Sequence, residues 1–382
     1  MRYARAVVVL IVAAGAVAGV VRPDSGVSAA QSARQMPSFA VDPAWPQLPN
    51  KWVLGQTPGI AVDRHDHVWI LHRPRTVPED KRAQAAPAVL EFDEKGKFVN
   101  AWGGPGTGFD WPDSEHGIFV DYKDNVWIGG SSPTSNSLTQ RSDDMLVKFT
   151  SKGKFLLQIG GPDKSRGNAD QASVNKPADA FVYQKTNELF VADGYFNHRV
   201  IVFDADSGKH KRHWGAYGKP PDDAFKFPPR AQLIQGPAPT HFNNPVHGVL
   251  VSNDELVYVA DRTNNRLQVF RLDGTYIKEV FIARNTLQAE GTVHNFALSP
   301  DREQKYLYVM DGSNKAIRVL DRQTLQIVSN IGGRAGHNAR EFFHPHSFAA
   351  DSKGNLFIGE VNDGQRYYRY AFKGMGPQTL AQ

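Results

Sequence analysis

The chain has 382 residues, 41% of them hydrophobic, no cysteine and a net charge of +5. That is enough apolar material for a full core in one large or two ordinary domains, and it excludes disulfides and thiolate metal sites, so a transition metal must be held by His, Asp or Glu. The basic residues are dispersed, which together with the export signal described next argues against a nucleic-acid partner.

Residues 1–29 read as a signal peptide. Arg2 and Arg5 form a charged start, Ala6 to Val21 an apolar run, and Val27-Ser28-Ala29 a small-residue cleavage site. Arg22 ends the run before it is long enough for a comfortable membrane span. The expectation is an exported protein, periplasmic or secreted, with no stable membrane insertion after cleavage. Residues 30–50 are polar and proline-rich and read as a linker, and 376–382 as a tail.

Between them, over 51–375, one pattern recurs six times. A residue x is followed by a small or polar residue and an apolar run: Pro58-Gly59-Ile60-Ala61, His116-Gly117-Ile118-Phe119, Ala178-Asp179-Ala180-Phe181, His247-Gly248-Val249-Leu250, His294-Asn295-Phe296-Ala297 and His346-Ser347-Phe348-Ala349. The copies are roughly 50 to 70 residues apart, near the period of propellers. Second runs such as Val126-Trp127-Ile128 and third runs such as Val200-Ile201-Val202-Phe203 follow. Turns such as Asp273-Gly274 come next, then fourth runs ending in Trp102-Gly103 or Trp214-Gly215. Four antiparallel strands make a blade, so the pattern predicts an all-β fold, a six-bladed propeller of NHL-repeat type. The last copy lacks a fourth run. An orphan one, Trp52-Val53-Leu54-Gly55, precedes the first copy and is expected to close the last blade as its N-terminal outer strand. Insertions fall at 76–88, 131–144 and 217–244.

Histidine occupies x in copies two, four, five and six, four of the 13 in the chain. The first strand of each blade lines the central channel, so the six x positions ring one mouth. Blades two, four and six are about 120° apart around a six-fold ring. His116, His247 and His346 should therefore converge, and three imidazoles with an open position form a catalytic zinc site. His294 is a neighbour able to hydrogen-bond substrate or replace a ligand. The plainer alternative is that such histidines cap strands or bind water.

The second strand ends at the same mouth. There the sequence reads His72-Arg73, Asp193-Gly194-Tyr195-Phe196-Asn197-His198-Arg199 and Asp261-Arg262-Thr263-Asn264-Asn265-Arg266. In the last of these Asp and Arg are expected to hold the loop. The blade-three copy has one extra residue, which pushes Tyr195 outward. Arg73 and Arg262 are equivalent in blades one and four. Paired guanidiniums near a cation suit a substrate carboxylate, and Tyr195 beside them suits a base. Loop salt bridges for the arginines and packing for Tyr195 are the alternatives.

These motifs resemble the peptidyl-α-hydroxyglycine α-amidating lyase family of NHL propellers. The matching elements are His72-Arg73, His116-Gly117, the Asp193–Arg199 loop with its inserted residue, His247 with Ala260-Asp261-Arg262, and Pro345-His346. The resemblance implies zinc on His116, His247 and His346, Tyr195 as base, and Arg73 and Arg262 as partners of substrate or oxyanion. It implies cleavage of a carbinolamide C–N bond in a small-molecule or peptide substrate bearing a carboxylate, giving an amide and glyoxylate; the protein is expected to be a monomer. The chain departs from the family at His344, where a Met is usual, so His344 joins His294 as a further candidate at the metal site. It departs again at Ser347, where an Asp helps to hold a structural calcium. Ca2+ is therefore not carried over with the zinc, although the carbonyls of Ile60 and Ile118 remain. A non-catalytic NHL propeller binding protein or peptide partners is the second reading. A calcium-dependent lactonase or hydrolase ranks third, because the axis offers histidine instead of carboxylate.

Overall fold

Each repeat copy is too thin to bury its own apolar faces, so the copies stack side by side into a ring. A computed structural model describes residues 35–377, residue 136 excepted. The segment read as a signal peptide lies outside the described residues, as does the end of the tail. Among the described residues no helix is long and apolar enough to cross a membrane.

Six four-stranded antiparallel sheets form the ring. Their innermost strands are Gly59–Val62, Glu115–Val120, Pro177–Tyr183, Val246–Val251, Val293–Leu298 and Pro345–Ala350. Each touches the innermost strands on both sides, and blade six touches blade one, so the circle is closed. Second strands such as Val68–Leu71 and Glu188–Asp193 are buried along their whole length, because both faces of a blade are covered by neighbours. Outermost strands are mostly half-buried, as Phe155–Gly160 is, with Leu156 exposed to solvent. The apolar core lies between blades, as in the cluster of Trp69, Leu71, Val120, Ile128 and Phe149 between blades one and two.

Ring closure corrects two expectations. The outer strand of blade six is Gln35–Asp42, paired antiparallel with Tyr367–Pro377 from Asp42↔Arg369 to Gln35↔Pro377. It lies inside the stretch read as a linker, and residues 52–55 are not the closing strand. The reason is a packing contact. In blades one and three the outer strand ends in a tryptophan that lies on the turn glycine of the next blade. A Cβ on Gly153 would meet the Trp102 ring at 2.7 Å, and one on Gly274 would meet Trp214 at 2.8 Å; both glycines have positive φ. At the closure the ring on Gly96 belongs to Trp45, not Trp52. Trp45 also packs against Phe357 with centroids 5.0 Å apart. Residues 52–55 instead run to the mouth, where Val53 bridges Ala85 and the Gly55 N–H donates to His72 Nδ1.

Candidate metal centre

The strand geometry explains why the x residues reach the axis. In blades two to six the pairing of first and second strands skips at x: between Glu115 and Ile118, Pro177 and Asp179, Val246 and Gly248, Val293 and Asn295, and Pro345 and Ser347. Each skip is a β-bulge, which leaves an unpaired residue and re-aims its side chain. The bulge puts an imidazole on the axis in blades two, four and six.

His116, His247 and His346 converge there, with ligand atoms all within 4.8 Å of one another. Their ring centroids form a near-equilateral triangle with sides of 5.1, 4.7 and 4.9 Å. Each is oriented by the x residue of the following blade. His116 Nδ1 donates to the Ala178 carbonyl at 2.9 Å, His247 Nδ1 to the His294 carbonyl at 2.5 Å, and His346 Nδ1 to the Pro58 carbonyl at 2.9 Å. A carbonyl only accepts, so Nδ1 carries the proton and Nε2 presents a lone pair. Burial pushes His116 down to about 3 and holds His247 and His346 well below the ordinary value. The nearby Arg73 and Arg262 act in the same direction on His116. All three are neutral near pH 7, as a metal ligand must be.

The insertion in the blade-three loop brings Tyr195 over this triangle. Gly194 makes that possible, since a Cβ there would sit 1.9 Å from the Val246 carbonyl oxygen. Tyr195 Oη lies 2.8 Å from His116 Nε2 and 3.0 Å from His247 Nε2. One hydroxyl proton cannot serve two lone pairs, and His346 Nε2 adds a third. Three converging imidazole lone pairs under a phenol are a donor set that a cation completes, and the chemistry of the set suits Zn2+.

Both predicted arginines are at this mouth. Arg262 Nη1 is 3.3 Å from Tyr195 Oη, and its buried Nε has no partner. Arg73 is buried, donating to the Glu115 carbonyl at 2.9 Å and to Gln56 Oε1 at 2.8 Å. Neither makes an ion pair among the described residues, whereas the pair Asp261–Arg266 closes its loop at 2.6 Å as expected, and Asp193–Arg199 does the same in blade three at 2.7 Å. His72 is structural. Its Nδ1 accepts from Gly55, its Nε2 donates to the Pro87 carbonyl, and burial lowers it to about 4.

The two further candidates do not join the triangle. His294 is fully buried, 5.6 Å from the His247 ring, and contributes its carbonyl to His247 while its Nε2 has no hydrogen-bond partner. His344 Nε2 pairs with Glu290 Oε2 at 3.2 Å. Glu290 was not legible in the sequence; it sits in the connection between blades four and five, which carries no motif. The hydrogen bond from His344 holds its carboxyl down at about 2, and His294 and Arg262 add to this. Asp63, His67 and Glu91 also cluster, but the Asp63 carboxylate already accepts from the His65 and His67 N–H groups and from Trp69 Nε1. That cluster is a turn, not a metal site.

The NHL repeat family matches residues 242–270, which fall in blade four. NHL repeat-containing protein 3 of mouse is 29% identical over 243 residues, covering 62% of this chain and 58% of that protein. Peptidyl-alpha-hydroxyglycine alpha-amidating lyase 1 of Drosophila melanogaster is 24% identical over 382 residues, covering 90% of this chain and 62% of that protein. The chain thus spans less than two thirds of the length of either relative. Among solved structures, a streptogramin B lyase superposes with a TM-score of 0.51 at 12% identity, covering 89% of this chain and 98% of that one, a likeness of fold. The chain therefore resembles NHL-repeat propellers whose relatives include proteins named as amidating lyases.

Proposed function

We propose that this protein is an exported, zinc-dependent carbon–nitrogen lyase that cleaves an α-hydroxy amide bearing a carboxylate. The observation that carries the reading is Tyr195 Oη seated on two imidazole lone pairs of a three-histidine set. His116, His247 and His346 would hold the ion, and a bound Zn2+ would supply Lewis-acid polarisation of a substrate oxygen.

The protein's own groups account for the rest. Arg262 and Arg73, which form no ion pair among the described residues, bind the substrate carboxylate and fix its orientation. Tyr195, acting as its phenolate, takes the proton of the α-hydroxyl at its phenolic oxygen and so becomes the neutral phenol. The O–H electron pair forms the aldehyde C=O bond, and the C–N pair leaves with the nitrogen. Tyr195 returns its proton to that nitrogen, so an amide and an α-oxo acid are released with no water consumed. The test is glyoxylate release from an α-hydroxyglycine amide by protein purified without a His tag, with zinc measured in parallel. A stoichiometric metal with turnover is expected. Metal-free protein in which His116→Ala with His247→Ala changes nothing would leave a non-catalytic propeller.

A further inference from the structure

We propose that His294 and Glu290 form a seat for an ammonium group beside the metal centre, so that the substrate is a zwitterion with a carboxylate at one end and a primary amine at the other. The inference rests on the lyase reading for the reaction and on the geometry of the seat for the charge.

The seat is assembled around blade five. A Cβ on Gly312 would lie 2.5 Å from the His294 ring, so the bare backbone there lets the imidazole pack close against it. The ring centroid is 5.6 Å from that of His247 and 6.4 Å from that of His346, next to the metal triangle and outside it. His294 Nδ1 is turned to the Thr292 carbonyl at 3.4 Å; a carbonyl only accepts, so the ring proton sits there and Nε2 presents a lone pair. That lone pair is buried and has no hydrogen-bond partner. The group facing it, at 3.9 Å, is a second acceptor, Glu290 Oε2. His344, where the family has a Met, holds the same oxygen at 3.2 Å and keeps the carboxylate near the imidazole. The Glu290 side chain is 44% exposed, which opens the seat to an incoming ligand.

Two acceptors facing each other repel, and a buried lone pair without a donor is unfavourable. A nitrogen about 2.9 Å from each atom spans the gap and donates to both. An ammonium suits the place: it has three donors and no acceptor. Its charge also answers a carboxylate whose ion-pair partners among the described residues are His294 and His344 alone. Water brings two donors and no charge. With Arg262 and Arg73 on the anionic end and this seat on the cationic end, charge sets the direction in which the substrate crosses the metal centre.

The test uses the full chain purified without a His tag and loaded with zinc. It compares glycyl-α-hydroxyglycine, which has a free amine, with its N-acetyl form, which has none. Glyoxylate release gives kcat/KM, and calorimetry gives Kd for the unreactive analogues glycylglycine and N-acetylglycylglycine. Wild type should favour the free amine by about tenfold or more in both measures. In Glu290→Gln the preference should fall to about twofold or less with zinc content kept, and Glu290→Lys should invert it. The idea is overturned if wild type treats the two forms alike, as a seat filled by water would, or if Glu290→Gln keeps the wild-type preference. It is equally overturned if Glu290→Lys still favours the amine, a result readable whatever Glu290→Gln does to folding. A binding preference that persists while neither hydroxyglycine compound releases glyoxylate would sink the lyase reading and uphold the seat.

Discussion

Replacing Tyr195 with phenylalanine separates chemistry from architecture. The change keeps the ring, which stands 4.8 Å from the His116 ring and beneath the Arg262 guanidinium, and removes only the hydroxyl. That hydroxyl owns one proton, so folding loses one neutral hydrogen bond, about 1 kcal/mol. The metal ligands keep their Nδ1–carbonyl anchors, which Tyr195 does not touch. Zinc should therefore stay at the wild-type level. Turnover should fall by about 10² to 10⁴, the range for removing a positioned proton acceptor, equal to about 3 to 5 kcal/mol in barrier height. Glyoxylate release under saturating substrate, metal content and thermal melting on the same preparation decide the matter. Turnover within a few-fold of wild type would refute the assigned role, and so would loss of zinc along with activity, which would make Tyr195 a ligand instead of a base.

Arg262→Gln should raise KM by about 10 to 100-fold for a carboxylate substrate and leave melting nearly unchanged, because the side chain is partly exposed and its hydrogen bond to Tyr195 Oη is long at 3.3 Å; an uncharged substrate analogue should show no such change. Metal-stripped protein should weaken on acidification. His116, His247 and His346 have folded values below the unfolded 6.5, so the unfolded chain binds more protons as pH falls through that value, and each costs about 1.4 kcal/mol per pH unit below it. Asp143, raised to about 6, and Asp179, raised to about 7, act in the opposite sense, but with His72 and His294 the histidines outnumber them. Melts at pH 7.5 and 5.5 check this, and equal stability at both would count against neutral, buried imidazoles. Trp45→Ala should cost about 3 to 5 kcal/mol by opening the joint between blades six and one, and Trp52→Ala clearly less; the reverse order in chemical denaturation would restore residues 52–55 as the closing element.

The sequence by itself determined the ring. Six copies of one strand pattern, punctuated by Asp-Gly turns and Trp-Gly ends, cannot bury their faces except by stacking, and histidine at one register in alternate copies already placed three imidazoles at 120° intervals. It also located Tyr195, because an extra residue in a repeated loop must project. What the tertiary structure decided is contact between segments far apart in the chain. Trp52 and Trp45 are alike as text, and only the fit of an indole onto Gly96 chose between them. The assignment of lone pairs to the axis came from carbonyls of the neighbouring blades, and Glu290 took on meaning only beside the groups it faces. Local pattern fixes which face a side chain takes, whereas pairing across blades depends on distances that a linear repeat does not encode.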